Sequence, residues 1–366
     1  MKIKNLLLTT LAAMTLLACK GGNTSTDNAD AQPAASQATA QLDLGFLKKL
    51  GIDVSKLYTI GDTYNFKEFE NLVALENAQV VKLLPMVQST SDEAEVEEGY
   101  YIEAVKALPG GCTMLIFAVE YGDSGTNLMA IYDKNGNLVD FMDLGNCNEM
   151  TPLEYFDDDF KRGKSQATNT VIQFKSPGEF TLDKTVKEGE WQREDESKPV
   201  KFTKVMWLVQ TLNTYQVSDN GTLALTDSKE LKREGNIDQD YQRWLAIGHL
   251  GRLPMSDTTR IDRLNDLANK LVKQMGRQQY DEESASYHVQ MVLAEFYDSN
   301  PQALLQWIYK NRNKPNMIVE HFEQIFANNW RNKYTLVKAI EQMKDKNAQK
   351  YLEELTAQWG ARDAVG

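Results

Sequence analysis

The sequence predicts an α+β protein: a β-rich antiparallel N-terminal domain with a short helical lead-in, then an all-α C-terminal domain of helix pairs, either a bundle or a short α-solenoid. Three observations carry this. Between Tyr100 and Leu225, apolar residues run continuously or alternate with period two, broken by Gly, Pro and Asn-Gly pairs. From Asp238 onward the apolar period becomes helical and stays so. Ahead of both, residues 20–41 hold no aromatic and no β-branched aliphatic residue, so they cannot bury enough surface to fold.

The first element is a leader. Lys2 and Lys4 precede an apolar run of 13 residues, Leu6 to Ala18. That is too short to span a bilayer as a helix and suits the apolar region of a signal peptide over residues 1–18. It ends Leu16-Leu17-Ala18-Cys19, which resembles the lipobox of bacterial lipoproteins. The resemblance implies that Cys19 is cleaved free at its N-terminus and acylated, so that the protein is held on a membrane of the cell envelope. Two or more acyl chains hold such an anchor stably where one does not. In the lipoproteins it resembles, Asp after the cysteine favours the inner membrane; Lys20 stands here, which implies the outer membrane. Acidic residues that mark surface export in some lipoproteins are missing from Lys20-Gly21-Gly22-Asn23, which implies a folded part facing the periplasm, with the cell surface as the alternative.

Residues 19–41 are then the lipidated cysteine and its tether, a flexible coil spanning roughly 25 Å. Two domains follow, 42–237 and 238–366. The chain carries a net charge of −12, placed unevenly: residues 5–237 hold −14 and residues 238–366 balance to zero. An acidic domain lacks the basic footprint of a nucleic-acid binder. It would be repelled by anionic headgroups, which leaves the acyl chains as the membrane contact.

Asp43 to Met86 reads as the helical lead-in, with Phe66, Phe69, Leu72 and Val73 at helical spacing and Val80, Leu83 and Leu84 further on. Four strands follow at 100–108, 112–121, 128–132 and 138–144, and Asn135-Gly136 between the last two predicts a type I′ hairpin turn. A second β set spans 170–174, 179–186, 205–212, 214–217 and 222–225, with turns at Pro177-Gly178 and Asn220-Gly221. In the helical part, Ile261, Leu264, Ala268 and Leu271 form one stripe stopped by Gly276, and Asn300-Pro301 is a start signal. Further helices are expected at 285–298, 316–328, 332–344 and 347–359. Trp244, Trp307, Trp330 and Trp359 read as interhelix anchors.

The chemistry-bearing motifs come to little. Gly122-Asp123-Ser124-Gly125 is the serine surround of one protease class and follows an apolar strand, as Gly-Asp-Ser does in a class of esterases. A serine nucleophile needs a base. His249, His288 and His321 all follow Ser124, against the protease order, and none stands in the esterases' Asp-x-x-His. The stretch therefore reads as a turn, and no catalytic residue is assigned. Asp133 to Asn137 lacks the glycine and acid positions of a calcium loop. Asp157-Asp158-Asp159 reads as a solvated loop, and Glu320-His321 with Glu323 as helix surface or packing, so no metal and no cofactor is expected.

Cys112 and Cys147 remain as a candidate disulfide in the oxidising compartment that the lipobox implies. A simple meander would put them roughly 30 Å apart at about 3.3 Å per residue, beyond the ~7 Å limit for a disulfide. Either they are unpaired or the strand order is not a meander.

The functional expectation is a lipid-anchored cell-envelope protein with a non-enzymatic interaction or assembly role and a protein partner in the envelope. The alternative is an envelope enzyme or glycan-binding protein with a site at the domain junction. A deep pocket near residues 226–240 with converging acids and a histidine favours the alternative; a broad apolar patch on the helices favours a partner.

Overall fold

The computed structural model describes residues 42–66, 72–85, 98–121, 124–157, 160–194, 200–282, 284–314, 317–327 and 333–359. The expected signal peptide, Cys19 and tether lie outside them. The described residues form one compact unit.

The lead-in holds α1 (Gly45–Lys49), three short strands β1 (Tyr58–Thr59), β2 (Thr63–Asn65) and β3 (Val73–Ala74), and α2 (Asn77–Leu83). The expected helix through Phe66 and Val73 is corrected. Val73 pairs with Ile102 as a strand, and Phe66 is buried beside Tyr64, their ring centroids 5.1 Å apart. Burial against a sheet overrides a four-residue helical spacing.

The first sheet is a meander of β4 (Glu98–Ala107), β5 (Thr113–Tyr121), β6 (Ser124–Tyr132) and β7 (Leu138–Gly145), extended by β1 and β3 at β4. Both faces are covered. Met114, Ile116, Met129, Ile131 and Met142 pack towards the second sheet. Leu115, Phe117, Val119 and Tyr132 pack towards Leu47, Val80, Leu83 and Leu84 of the lead-in. Adjacent residues of β5 thus enter different cores, which is why this strand reads as an unbroken apolar run.

The second sheet has the order β12-β11-β10-β9-β2, with β8 also on β9. Its strands are β8 (Asn148–Tyr155), β9 (Arg162–Ser176), β10 (Glu179–Gln192), β11 (Lys201–Val217) and β12 (Leu223–Gly235). They are far longer than the apolar runs suggest, because their outer halves alternate polar residues towards water.

Both Asn-Gly hairpins differ from the expected turn. Gly136 and Gly221 have φ of +83° and +88°, while among the described residues only Phe160 is a non-glycine with positive φ. A type I′ turn needs two positive φ values. Gly136 N donates to Asp133 O, Asp133 N donates to Asn137 O, and Ser218 to Thr222 repeats the pattern. These are type I turns closed by a glycine bulge.

The C-terminal part is all helix: α3 (Gln239–Gly251), α4 (Thr259–Met275), α5 (Arg277–Glu282), α6 (Ser284–Ser299), α7 (Pro301–Asn311), α8 (Met317–Ala327), α9 (Lys333–Glu341) and α10 (Lys346–Ala357). Asn300 caps α7 by accepting from Ala303 N at 3.2 Å, and Gly276 ends α4 at φ +84°. Helix α6 packs against α3, α4, α5, α7 and α8. A solenoid repeat touches only its neighbours, so the arrangement is a bundle around α6.

Asp140 joins the three layers. Fully buried on β7, its carboxylate accepts from Leu223 N (2.9 Å) at the start of β12 and from Ser256 Oγ (2.6 Å) in the loop before α4. Met255 N donates to Phe141 O beside it at 2.8 Å.

Candidate functional site

The outward half of the second sheet turns one face towards α3, and a cavity of about 400 Å³ lies between them, closed at one end by Met142, Asp143 and Leu144 of β7. The strand register builds its wall in rows. Thr170 of β9 lies opposite Lys184 of β10, Lys184 opposite Thr211 of β11, and Thr211 opposite Glu230 of β12. The next row is Thr168, Val186, Val209 and Arg233 by the same pairing. Alternate residues of a strand share a face, so Leu182, Lys184 and Val186 all enter the cavity: a lysine stands where the pattern asks for an apolar residue.

Helix α3 supplies the opposite wall. Leu245, His249 and Arg252 recur at spacings of four and three, one helix face. Tyr241 and Trp244 line a neighbouring cavity with Asn146, Gln166 and Thr168. Lys184, Val186, Leu245 and Arg252 line both cavities, which places the two cations at their junction.

Lys184 Nζ donates to Leu144 O at 2.9 Å. Burial, and next the charge of Arg252, bring its ammonium down to about 8; Cys147 and Asp143 pull the other way. The Arg252 guanidinium lies 6.0 Å from the ring centroid of Trp244. It also lies over Gly145, whose φ is +62°: a Cβ there would stand 2.6 Å from Arg252 Nε. His249 is lowered by burial and by Arg252 and Arg263, which keeps it neutral at pH 7.

The other charges on the walls are matched. Arg233 holds Glu230 through two bonds of 2.8 and 2.6 Å, and Lys229 pairs with Asp227 at 2.6 Å. Asp143 Oδ1 accepts from Thr126 Oγ1 (2.8 Å) and Gly145 N (2.7 Å). Among the described residues neither Lys184 nor Arg252 has a carboxylate within ion-pair distance.

The residues singled out in the sequence fall elsewhere. Ser124 opens β6 in register with Tyr121, so the chain reverses between them; Gly122 and Asp123 lie outside the described residues. Of the histidines, His249 is on the cavity and His288 lines its neighbour. His321 is fully buried in the bundle, bonded to Tyr280 Oη through Nε2 at 2.8 Å and to Gln324 through Nδ1 at 2.9 Å. Glu320 pairs with Arg277 at 2.8 Å. Asp133 closes its hairpin by accepting from Asn135 N and Asn137 N at 2.8 and 2.9 Å. Asp157 closes its own loop on Lys161 N and Arg162, while Asp158 and Asp159 lie outside the described residues. Trp244 serves the cavity rather than a helix–helix seam alone, and Trp330 is outside the described residues.

Cys112 and Cys147 stand as two free, buried thiols. Both lie in the core between the sheets, Cys112 ahead of β5 near Asp219 O and Cys147 beyond the end of β7 near Gly145 O. The first sheet is the meander that sets these two positions at opposite ends. Burial pushes the Cys147 thiol up to about 12, which keeps it protonated and unreactive.

No protein-family model matches the chain, and no curated protein or solved structure is significantly similar to it.

A deep pocket near residues 226–240 with converging acids and a histidine is the mark of the enzyme or glycan-binding alternative. The cavity there has His249, Asp143 and Glu230 on its walls, and Lys184 and Arg252 converge on it as well. The signal that could have found Lys184 is its position between Leu182 and Val186 on one strand face.

Proposed function

We propose that this is a lipid-anchored protein of the bacterial cell envelope, held at Cys19 in the outer membrane with its folded part in the periplasm, and that it acts by binding a small molecule rather than by catalysis. The cavity between the second sheet and α3 carries this reading. Its volume, about 400 Å³, falls within the roughly 300–1,000 Å³ of small-molecule sites. Its lining joins apolar side chains, such as Leu182, Val186 and Val209, to a few charged groups that would orient a ligand. Among the described residues no hydrogen bond links His249 to a hydroxyl or a carboxylate, the linkage an acyl-transfer or hydrolytic base would use. The anchor rests on the lipobox sequence and on the tether that follows it.

Two experiments test the two parts. Metabolic labelling with a fatty-acid analogue should mark the wild type and leave Cys19→Ala unlabelled; equal labelling of both removes the anchor. Native mass spectrometry of protein released gently from its own envelopes should show a bound small molecule that Thr211→Trp, projecting into the cavity, abolishes. An adduct retained in full by a folded Thr211→Trp variant places binding elsewhere.

A further inference from the structure

We propose that the ligand is an amphiphile with one negatively charged oxyanion head, held between Lys184 and Arg252, and an apolar body lying along Leu182, Val186, Val209 and Tyr215. The inference rests on the cavity being the binding site and goes beyond it to the class of ligand.

The charge balance carries it. Residues 5–237 hold a net −14, yet their strand β10 presents Lys184 to the cavity, and Arg252 faces it from the end of α3. Of the cations on the cavity between the second sheet and α3, Arg233 and Lys229 are neutralised by Glu230 and Asp227. Lys184 and Arg252 are not, and they stand close enough for Arg252 to disfavour the lysine's charge. Two like charges brought together away from bulk water are unfavourable unless something answers them. Asp143, whose charge reaches Lys184, has its Oδ1 held by Thr126 and Gly145. Counting Lys184, Arg252 and Asp143 leaves one positive charge to be matched, which a monoanion supplies.

The local backbone is shaped around the same pair. Gly145 leaves the space that the Arg252 guanidinium occupies, and Leu144 O fixes the Lys184 amine. Among the described residues the neighbouring cavity has no carboxylate on its walls, and Asn146, Thr151, Gln166 and Thr168 there can donate to an oxyanion. Leu182 and Val186 flank Lys184 along its own strand, with Val209 and Tyr215 on the next, so a body attached to that head would find an apolar path. About 400 Å³ is the bulk-liquid volume of roughly 13 waters at ~30 Å³ each. That accommodates a single chain or ring system.

Carboxylate and phosphodiester heads share this chemistry, and the test separates them. Titration calorimetry would use the anchored protein in phosphatidylcholine nanodiscs, with empty nanodiscs as the blank. The probes are octanoate, octyl methyl phosphate, octanol and octylammonium. At least one of the two anions should bind at least tenfold more tightly than octanol and octylammonium, and the tighter anion identifies the head. Lys184→Met and Arg252→Met should each cut that advantage to below about threefold, while Lys204→Met, at an exposed lysine that pairs with Glu190 and lines neither cavity, leaves it intact. Thermal melts of each variant establish that it is folded. Octanol or octylammonium binding as tightly as both anions, or an anion advantage that survives both substitutions, overturns the inference. If octanol binds, Thr211→Trp abolishes it and neither anion gains, the cavity reading stands and only the head-group assignment falls. If none of the four probes binds, both fall.

Discussion

The two sheets lie against one another and share a core, yet they are built for different ends. The first is covered on both faces: one by the second sheet, the other by α1, α2 and their flanks. Its central strand carries Met114 to Val119 with every side chain at or below 2 % exposure. The second sheet is covered on both faces only near its hairpin ends; elsewhere one face meets α3 across a cavity and its edge strand β12 is exposed along most of its length. The contrast teaches where function can be carried. A strand buried on both faces holds a charge only where fixed donors answer it, as Leu223 N and Ser256 Oγ answer Asp140, because an unanswered buried charge is costly. A strand with one half-open face can hold Lys184 and still fold.

That contrast can be broken by substitution. The largest effect is expected in the first sheet: Phe117→Ala removes a fully buried ring and should cost about 4 kcal/mol, read by chemical denaturation. A loss below about 1 kcal/mol would mean that this sheet is not the tightly packed one. Next comes the junction. Asp140→Ala strands the donors of Leu223 N and Ser256 N, while Ser256 Oγ keeps Leu223 O as its acceptor, and should cost about 3 kcal/mol. It should also loosen the α3–α4 loop, visible as faster amide exchange at Met255 and Ser256.

The smallest effect has the opposite sign. Lys184→Met removes a charge that the fold holds at a cost and should raise stability by about 1 kcal/mol at pH 7. The pH dependence follows. The folded-state value, about 8, lies below the unfolded value near 10.4, so between them the unfolded chain binds more protons and stability rises with pH. Below about 8 the lysine is charged in both states and the penalty is fully present. Wild-type melting should therefore climb relative to Lys184→Met between pH 8 and 10. Parallel curves would show that Lys184 is well solvated.

Much of this architecture was legible in the chain. The change of period at Asp238, the helices from Ile261 onward, the Asn300-Pro301 start and the strands of the first sheet all follow from spacing, because a strong core imposes a strong pattern. What escaped was the part of the fold without a core of its own. Strand β8 reads Asn-Glu-Met-Thr-Pro-Leu-Glu-Tyr, polar and interrupted by Pro152, which an edge strand tolerates. The outer half of β12, Thr226 to Gly235, carries Asp227, Lys229, Glu230, Lys232, Arg233 and Glu234 and reads as a loop; exposed edges are charged in this way to discourage pairing with other chains. The sequence named the junction only as one place where a site could lie; His249, Asp143 and Glu230 do line the cavity there, but its two cations escaped. Arg252 comes from the end of α3, and no spacing in the sequence links it to Lys184, 68 positions earlier.

The central claim is that binding belongs to the second sheet and α3. Hydrogen–deuterium exchange of the anchored protein, with and without a small-molecule extract of its own envelopes, tests it most directly. Added extract should slow exchange in β10, β11 and α3 and leave β4 to β7 unchanged. Unchanged exchange in β10, β11 and α3, with protection confined to the far helices α7 to α10, would contradict it.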